Sequence, residues 1–234
     1  MRILGIETAT SVCAAAVVAD GDVRAEELVD GERVHAGRLM PLVDLVLRRS
    51  EFRLQDLQGV AVSIGPGSFT GLRIGLSVAK GLVYAGGMPL VAVPTLEALA
   101  RHAIDSSTAR LPRFVLAAID ARRDEIYCQL FEQHRNRLSS LWDARDLAVG
   151  ALEGLLPDDT VLVTGNASSK IAHGLSHGGG GRTDPLRFAA GDQSRCSGAS
   201  VALLGEERLL SGEVEDPSAL EPRYIKEFFL HTQP

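Results

Sequence analysis

A chain of 234 residues, 45% apolar and 23% charged, has the length for one large domain or two modest ones and an ordinary soluble composition. Its net charge is −6 and only three of its 24 basic residues are lysines, which argues against holding a nucleic acid unaided, because phosphate contacts need clustered cations. The longest uncharged segment, 81–95, is broken by Gly86-Gly87 and Pro89, so a membrane span is excluded; with no leader pattern at the start, a cytoplasmic location is expected.

Residues 2–18 read as two strands joined by the polar turn Glu7-Thr8-Ala9-Thr10-Ser11, and Asp20-Gly21 signals a hairpin into a third strand over 23–28. Residues 39–47 form a helix with Pro41 in its first turn, where a missing N–H costs little. Its apolar residues fill more than the stripe of about 100° that one buried face requires, leaving surface for a second layer or a partner. The run 60–62 is a buried strand, turning through Gly65-Pro66-Gly67 into a helix capped by Ser68 or Thr70. In that helix Gly67, Gly71, Gly75 and Ala79 recur every four residues. Each interior glycine costs roughly 1 kcal/mol relative to alanine, so a face kept this bare points to close approach by another element. A strand over 89–93 and a helix over 95–103 capped by Thr95 follow, and the polar stretch 105–110 reads as a boundary.

The second half repeats the first. Residues 114–120 form an apolar strand ending in Asp120, as 1–7 end in Glu7; a polar turn, a strand over 126–131, a turn over 134–137 and a third strand come next. A duplicated strand–turn–strand–turn–strand unit with helices implies two related α/β subdomains, 1–104 and 105–234, with 212–234 expected to pack back on the first. Residues 177–183 read as a glycine-rich flexible loop, and 200–211 as a helix before a closing segment over 217–229. His173 and His177 have the i, i+4 spacing of a metal pair, but the surrounding glycines make a helix there doubtful. Cys13, Cys128 and Cys196 are odd in number and lack metal spacing, as expected of reduced thiols.

The duplication, with an acid ending the first strand of each half, resembles the actin, Hsp70 and sugar-kinase (ribonuclease H-like) architecture. Four stretches narrow the resemblance to the TsaB (YeaZ) family of tRNA threonylcarbamoyladenosine biosynthesis proteins: Ile3-Leu-Gly-Ile-Glu-Thr-Ala-Thr10, Gly65-Pro-Gly-Ser-Phe-Thr-Gly-Leu-Arg73, Ala118-Ile-Asp-Ala-Arg-Arg-Asp-Glu-Ile-Tyr127 and Glu221-Pro-Arg-Tyr-Ile225. Glu7 departs from the aspartate usual there. The resemblance implies a non-catalytic subunit that supports a TsaD-type transferase, which places a threonylcarbamoyl group on adenosine 37 of ANN-decoding tRNAs, with a TsaE-type ATPase completing the machinery. It implies a homodimer when alone, tRNA reached only through the complex, no tightly bound cofactor, and ATP or ADP only with partners present.

Residue by residue, the positions of the catalytic relative's metal-binding histidines fall at Thr95 and Leu99, neither of which replaces an imidazole. Glu7, Thr8, Thr10 and Asp120 stand where this architecture holds a nucleotide, in turns without the glycine that lets amides close on phosphate, and read as a vestigial site. The partner or dimer interface is expected at Leu39, Leu42, Val46, Gly67, Gly71, Arg73, Gly75 and Ala79, so that Gly75→Leu would leave a folded monomer unable to pair. The alternatives are that the small residues seat the helix on its own sheet, or that the chain is itself a nucleotide-dependent transferase or kinase.

Overall fold

The structure, a computed structural model, describes residues 1–135, 137–176 and 185–226. Two mixed sheets carry it. In the first, β1 (Arg2–Glu7) lies centrally, antiparallel to β2 (Val12–Ala19) and parallel to β4 (Gly59–Ser63). The antiparallel β3 (Asp22–Asp30) and parallel β5 (Leu90–Val93) form its edges, giving the order β3-β2-β1-β4-β5. Asp20 and Gly21 both take positive φ, 54° and 81°, and close a two-residue hairpin between the paired Ala19 and Asp22.

The second sheet repeats this order: β6 (Phe114–Asp120) is flanked by antiparallel β7 (Glu125–His134), which pairs with β8 (Arg137–Ser140), and by parallel β10 (Val161–Thr164) and then β11 (Leu186–Phe188). A short β9 (Arg145–Ala148) also pairs with β7. Both first strands end in an acid, Glu7 and Asp120, at equivalent places in the two sheets.

Helices α1 (His35–Arg49) and α2 (Phe69–Gly86) lie side by side over one face of the first sheet, and α5 (Gly198–Leu210) covers its other face. In the second half, α3 (Thr95–Asp105) covers one face of the sheet and α4 (Ser168–Ser176) the other. The inner helices α3 and α5 join the halves: Arg101 Nη1 donates to Glu207 Oε1 at 2.8 Å, and Arg208 Nη2 to Glu97 Oε2 at 2.6 Å. No helix among the described residues is long and apolar enough to cross a membrane.

Several expectations change. Helix α1 starts four residues before 39, so Pro41 lies inside it; the lost bond to the Gly37 carbonyl is tolerated because both residues are exposed. The apolar surplus of α1 goes into the chain's own core: Leu39, Leu42, Val43 and Val46 are at most 6% exposed, each contributing about 1.5–3 kcal/mol by burial. Leu39, Leu42 and Val46 therefore cannot form a partner interface in this fold. Thr95 is already helical, Pro94 precedes it at the cap position, and the Thr95 hydroxyl instead accepts from the Gly65 N–H at 3.0 Å. Ser68, not Thr70, caps α2, accepting from Gly71 N–H at 3.2 Å, and Ser197 caps α5. His173 does lie on a helix, α4, whereas His177, the expected loop 177–183 and the tail from 227 lie outside the described residues.

Candidate functional site

The bare face of α2 is occupied by its own chain. A Cβ at Gly71 would stand 2.1 Å from the Thr8 carbonyl oxygen, one at Gly75 2.1 Å from Thr8 Oγ1, and one at Gly67 2.3 Å from the Ala9 carbonyl oxygen. The Ser68 N–H donates to the Ala9 carbonyl at 2.7 Å, and Ala79 is fully buried in the same core. The small residues thus let α2 close on the turn after β1, and Gly67, Gly71, Gly75 and Ala79 are removed from the expected partner interface. Of that set only Arg73 is exposed. Among the residues that α1 and α2 do expose are Met40 (47% exposed), Asp44, Arg73, Ser77, Gly81 and Tyr84 (94% exposed).

The turn held by α2 forms one wall of a cleft of about 1220 Å³ between the two sheets. Thr10 and Ser11, the first turn of α2 and the start of α1 line one side; Asp120, Arg122, Tyr127 and Asn166 line the other, and residues 223–226 cross its rim. Of the four nucleotide-site residues, Thr10 and Asp120 face this cleft, whereas Glu7 and Thr8 are fully buried behind it.

Glu7 sits in apolar surroundings that push its carboxyl up to about 7; the Ala9 N–H, donating to Oε1 at 2.5 Å, and the Ser63 hydroxyl pull less strongly the other way. Its Oε2 and the Thr8 hydroxyl are buried without a hydrogen-bond partner among the described residues. Thr10 uses its hydroxyl locally, accepting from Val12 N–H at 3.2 Å. Partial burial disfavours the Asp120 carboxylate, but Lys170, 2.6 Å from Oδ1, and the Arg122 N–H, 2.7 Å from the same oxygen, outweigh it and hold the carboxyl below its usual range. The second turn, Arg122 and Arg123, takes left-handed φ of 73° and 48° without a glycine and spends its amide on Asp120.

Leu99 packs in the core between α3 and the second sheet, and no cluster of three His, Cys, Asp or Glu side chains among the described residues is placed to hold a metal. Burial raises the thiols of Cys13 and Cys128 to about 11 and about 12, and that of Cys196 upward as well, leaving three unreactive groups.

Sequence reasoning missed Lys170, which also donates to the Arg123 and Glu125 carbonyls, and the cluster of Arg73, Phe69 and Tyr224. A signal existed for the first: in a chain with three lysines, two of them, Lys170 and Lys226, bind acids of the second half.

Residues 30–175, more than half of the chain, match the model of a family described as TsaD, tRNA N6-adenosine threonylcarbamoyltransferase. The chain belongs to this family. Its curated relatives include the tRNA threonylcarbamoyladenosine biosynthesis protein TsaB of Escherichia coli (strain K12), 42% identical over 137 residues, which are 58% of this chain and 57% of that protein. TsaB of Bacillus subtilis (strain 168) is 33% identical over 163 residues, 70% of this chain and 63% of the relative. In these matches the chain spans about three-fifths of the relatives' length. The solved structure of YeaZ from Pseudomonas aeruginosa superposes with a TM-score of 0.79 over 95% of this chain and 99% of that one, at 24% identity, which establishes the shared fold. Within the family, the chain's similarity is thus to TsaB (YeaZ), and its two repeated sheets are the duplicated α/β subdomains expected from the strand pattern.

Proposed function

We propose that this chain is a non-catalytic subunit in threonylcarbamoyl modification of adenosine 37 of ANN-decoding tRNAs, binding and supporting a TsaD-type transferase. The observation that carries this reading is the state of the cleft's chemistry. The metal-ligand positions hold Thr95, tied to Gly65 N–H, and Leu99, locked in the core. Asp120 is neutralised by Lys170, and Glu7 is sealed behind the turn in surroundings that favour its protonated form. A site with these two acids spent and no metal-holding cluster among the described residues has little left with which to activate a carbamoyl donor.

The partner contact belongs on the outward faces of α1 and α2, around Met40, Arg73, Ser77 and Tyr84, where an exposed aromatic and a methionine supply the anchors that interfaces favour. The same faces would pair two copies when the chain is alone, with a TsaE-type ATPase joining the complex, tRNA reached only through it, ATP or ADP held only with partners present, and the whole residing in the cytoplasm. Size-exclusion with light scattering on mixtures with a purified TsaD-type transferase tests this: Tyr84→Asp with Ser77→Arg removes the complex without changing the melting temperature. A complex of unchanged stability in that double variant contradicts the assignment.

A second reading, a nucleotide-dependent transferase or kinase active by itself, draws on the large cleft beside the start of α2 and on the transferase for which the matched family is named. Calorimetric titration of the isolated chain with ATP and Mg²⁺ separates the two: micromolar binding lost in Asp120→Ala favours the second.

A further inference from the structure

The motif at 221–225 finds no use in the cleft's chemistry or in the partner face, yet the structure gives it a definite job. Leading into it, the Glu215 N–H donates to the Leu90 carbonyl at 2.9 Å and Leu220 packs on the core of the first half. The Arg223 N–H then donates to the Ile64 carbonyl at 2.7 Å, at the end of β4. The Arg223 carbonyl stands 2.5 Å from where a Cβ of Gly65 would be, so only glycine there, with its φ of +115°, lets the two backbones lie this close. One residue on, the Tyr224 ring stacks on Phe69 with centroids 5.1 Å apart, and its hydroxyl accepts from Arg73 Nε at 3.1 Å while the Arg73 guanidinium covers Phe69 at 3.8 Å. All these anchors belong to the first half.

Two residues later the chain is anchored in the other half. The Lys226 ammonium pairs with Glu125 at the start of β7 and with Asp146 on β9, at 3.1 Å from Oδ2, and lies 6.0 Å from the Tyr127 ring centroid. Residues 223–226 all line the cleft. Three residue steps span at most roughly 10–11 Å of backbone, so while both ends stay attached the separation of the rims is limited to that span plus the length of the Lys226 side chain. Among the described residues, the ion pairs that join the halves between α3 and α5 involve no cleft-lining residue.

We propose that residues 223–226 are a strap that latches the cleft closed, with Tyr224 on Phe69 and Arg73 as its fixed end and Lys226 between Glu125 and Asp146 as its releasable end. The asymmetry follows from the chemistry. The first end is a backbone hydrogen bond, a ring stack and a cation–π contact, which salt barely affects. The second is an ion pair whose partners are partly exposed, Lys226 at 35% and Glu125 at 41%, and such pairs are weak and screened by salt. Removing the cation leaves the Glu125 and Asp146 carboxylates without an ion-pair partner among the described residues.

Spin labels on Glu32→Cys, at the first-half rim, and Asp124→Cys, exposed beside Arg122, report the cleft width in the full chain, the three native cysteines being buried. One narrow distance distribution is expected at 50 mM salt. Lys226→Met should lengthen the mean by more than about 2 Å, the scale of a real rearrangement, and broaden it, while Lys226→Arg keeps the narrow distribution. The chain with native Lys226 supplies the control for folding defects: raising salt to 1 M, where the screening length falls from about 10 Å at 0.1 M to about 3 Å, should reproduce the broadening. Unchanged distributions in Lys226→Met, or at 1 M salt, overturn the latch.

Discussion

Gly75→Ala separates the two roles open to the small-residue face of α2. On a free helix face this change stabilises by about 1 kcal/mol, because alanine is the better helix former. Here the new Cβ would lie 2.1 Å from Thr8 Oγ1 and 3.3–3.4 Å from the Thr8 Cβ and Cγ2. Thr8 is fully buried and stiff at χ1, so the contact cannot be relieved by swinging a flexible end away. Overpacking of this kind costs about 3 kcal/mol at the upper end of its usual range; net of the helix gain, the loss is about 2 kcal/mol, or about 4–8 °C in melting temperature for a chain of this size. Thr8→Ala removes Oγ1 and Cγ2, and that hydroxyl has no hydrogen-bond partner among the described residues to lose. In the double variant the clash disappears and the helix gain remains, giving a coupling of about 3 kcal/mol in a double-mutant cycle read from urea midpoints. A single variant as stable as the parent chain, or a double variant no better than Gly75→Ala alone, refutes the packing. Gly75→Leu, expected from sequence to spare the monomer, should on the same reasoning unfold it.

Leu39→Ala should cost about 2–5 kcal/mol, since Leu39 is 1% exposed in the core, whereas Tyr84→Ala should stay within about 0.5 kcal/mol; urea titration of both checks the inside and outside of the two-helix layer. Glu7, raised from 4.5 to about 7, holds a proton in the folded chain that the unfolded chain loses above 4.5. Its contribution is therefore fully present below pH 4.5, falls as pH rises through 7, and differs by an order of 3 kcal/mol between those limits. Glu7→Gln should gain on the parent chain progressively from pH 5 to pH 8 in thermal melts, and parallel profiles would remove the buried carboxyl as a pH-dependent term. Aromatic disulfide reagents should leave Cys13, Cys128 and Cys196 unmodified at pH 8 until denaturant is added, because all three are buried with raised pKa; rapid reaction of the native chain counts against that burial.

The repeat of the two sheets was legible because it is written in local pattern: an apolar run ending in an acid, a polar turn, a second strand. The parallel strands β10 and β11 and the short β9 were not, being three or four residues long with their pairing set only by the assembled sheet. The four-residue spacing in α2 correctly announced a close approach, but spacing cannot name what approaches; the Thr8 and Ala9 carbonyls arrive there only once β1 is in place. The surplus apolar residues of α1 misled for a related reason, since both a sheet and a neighbouring helix cover them. Asp120 was found as a strand-end acid, yet its neutralisation by Lys170, 50 residues later, belongs to tertiary structure.

On the proposed function, this chain serves a transferase and does not replace one. Its most direct test is incorporation of labelled threonylcarbamoyl into an ANN-decoding tRNA by a purified TsaD-type transferase and TsaE-type ATPase, with and without this chain. Product is expected only when this chain accompanies the transferase, and none from this chain with donor and tRNA alone. Modified tRNA from this chain in the absence of the transferase would contradict it.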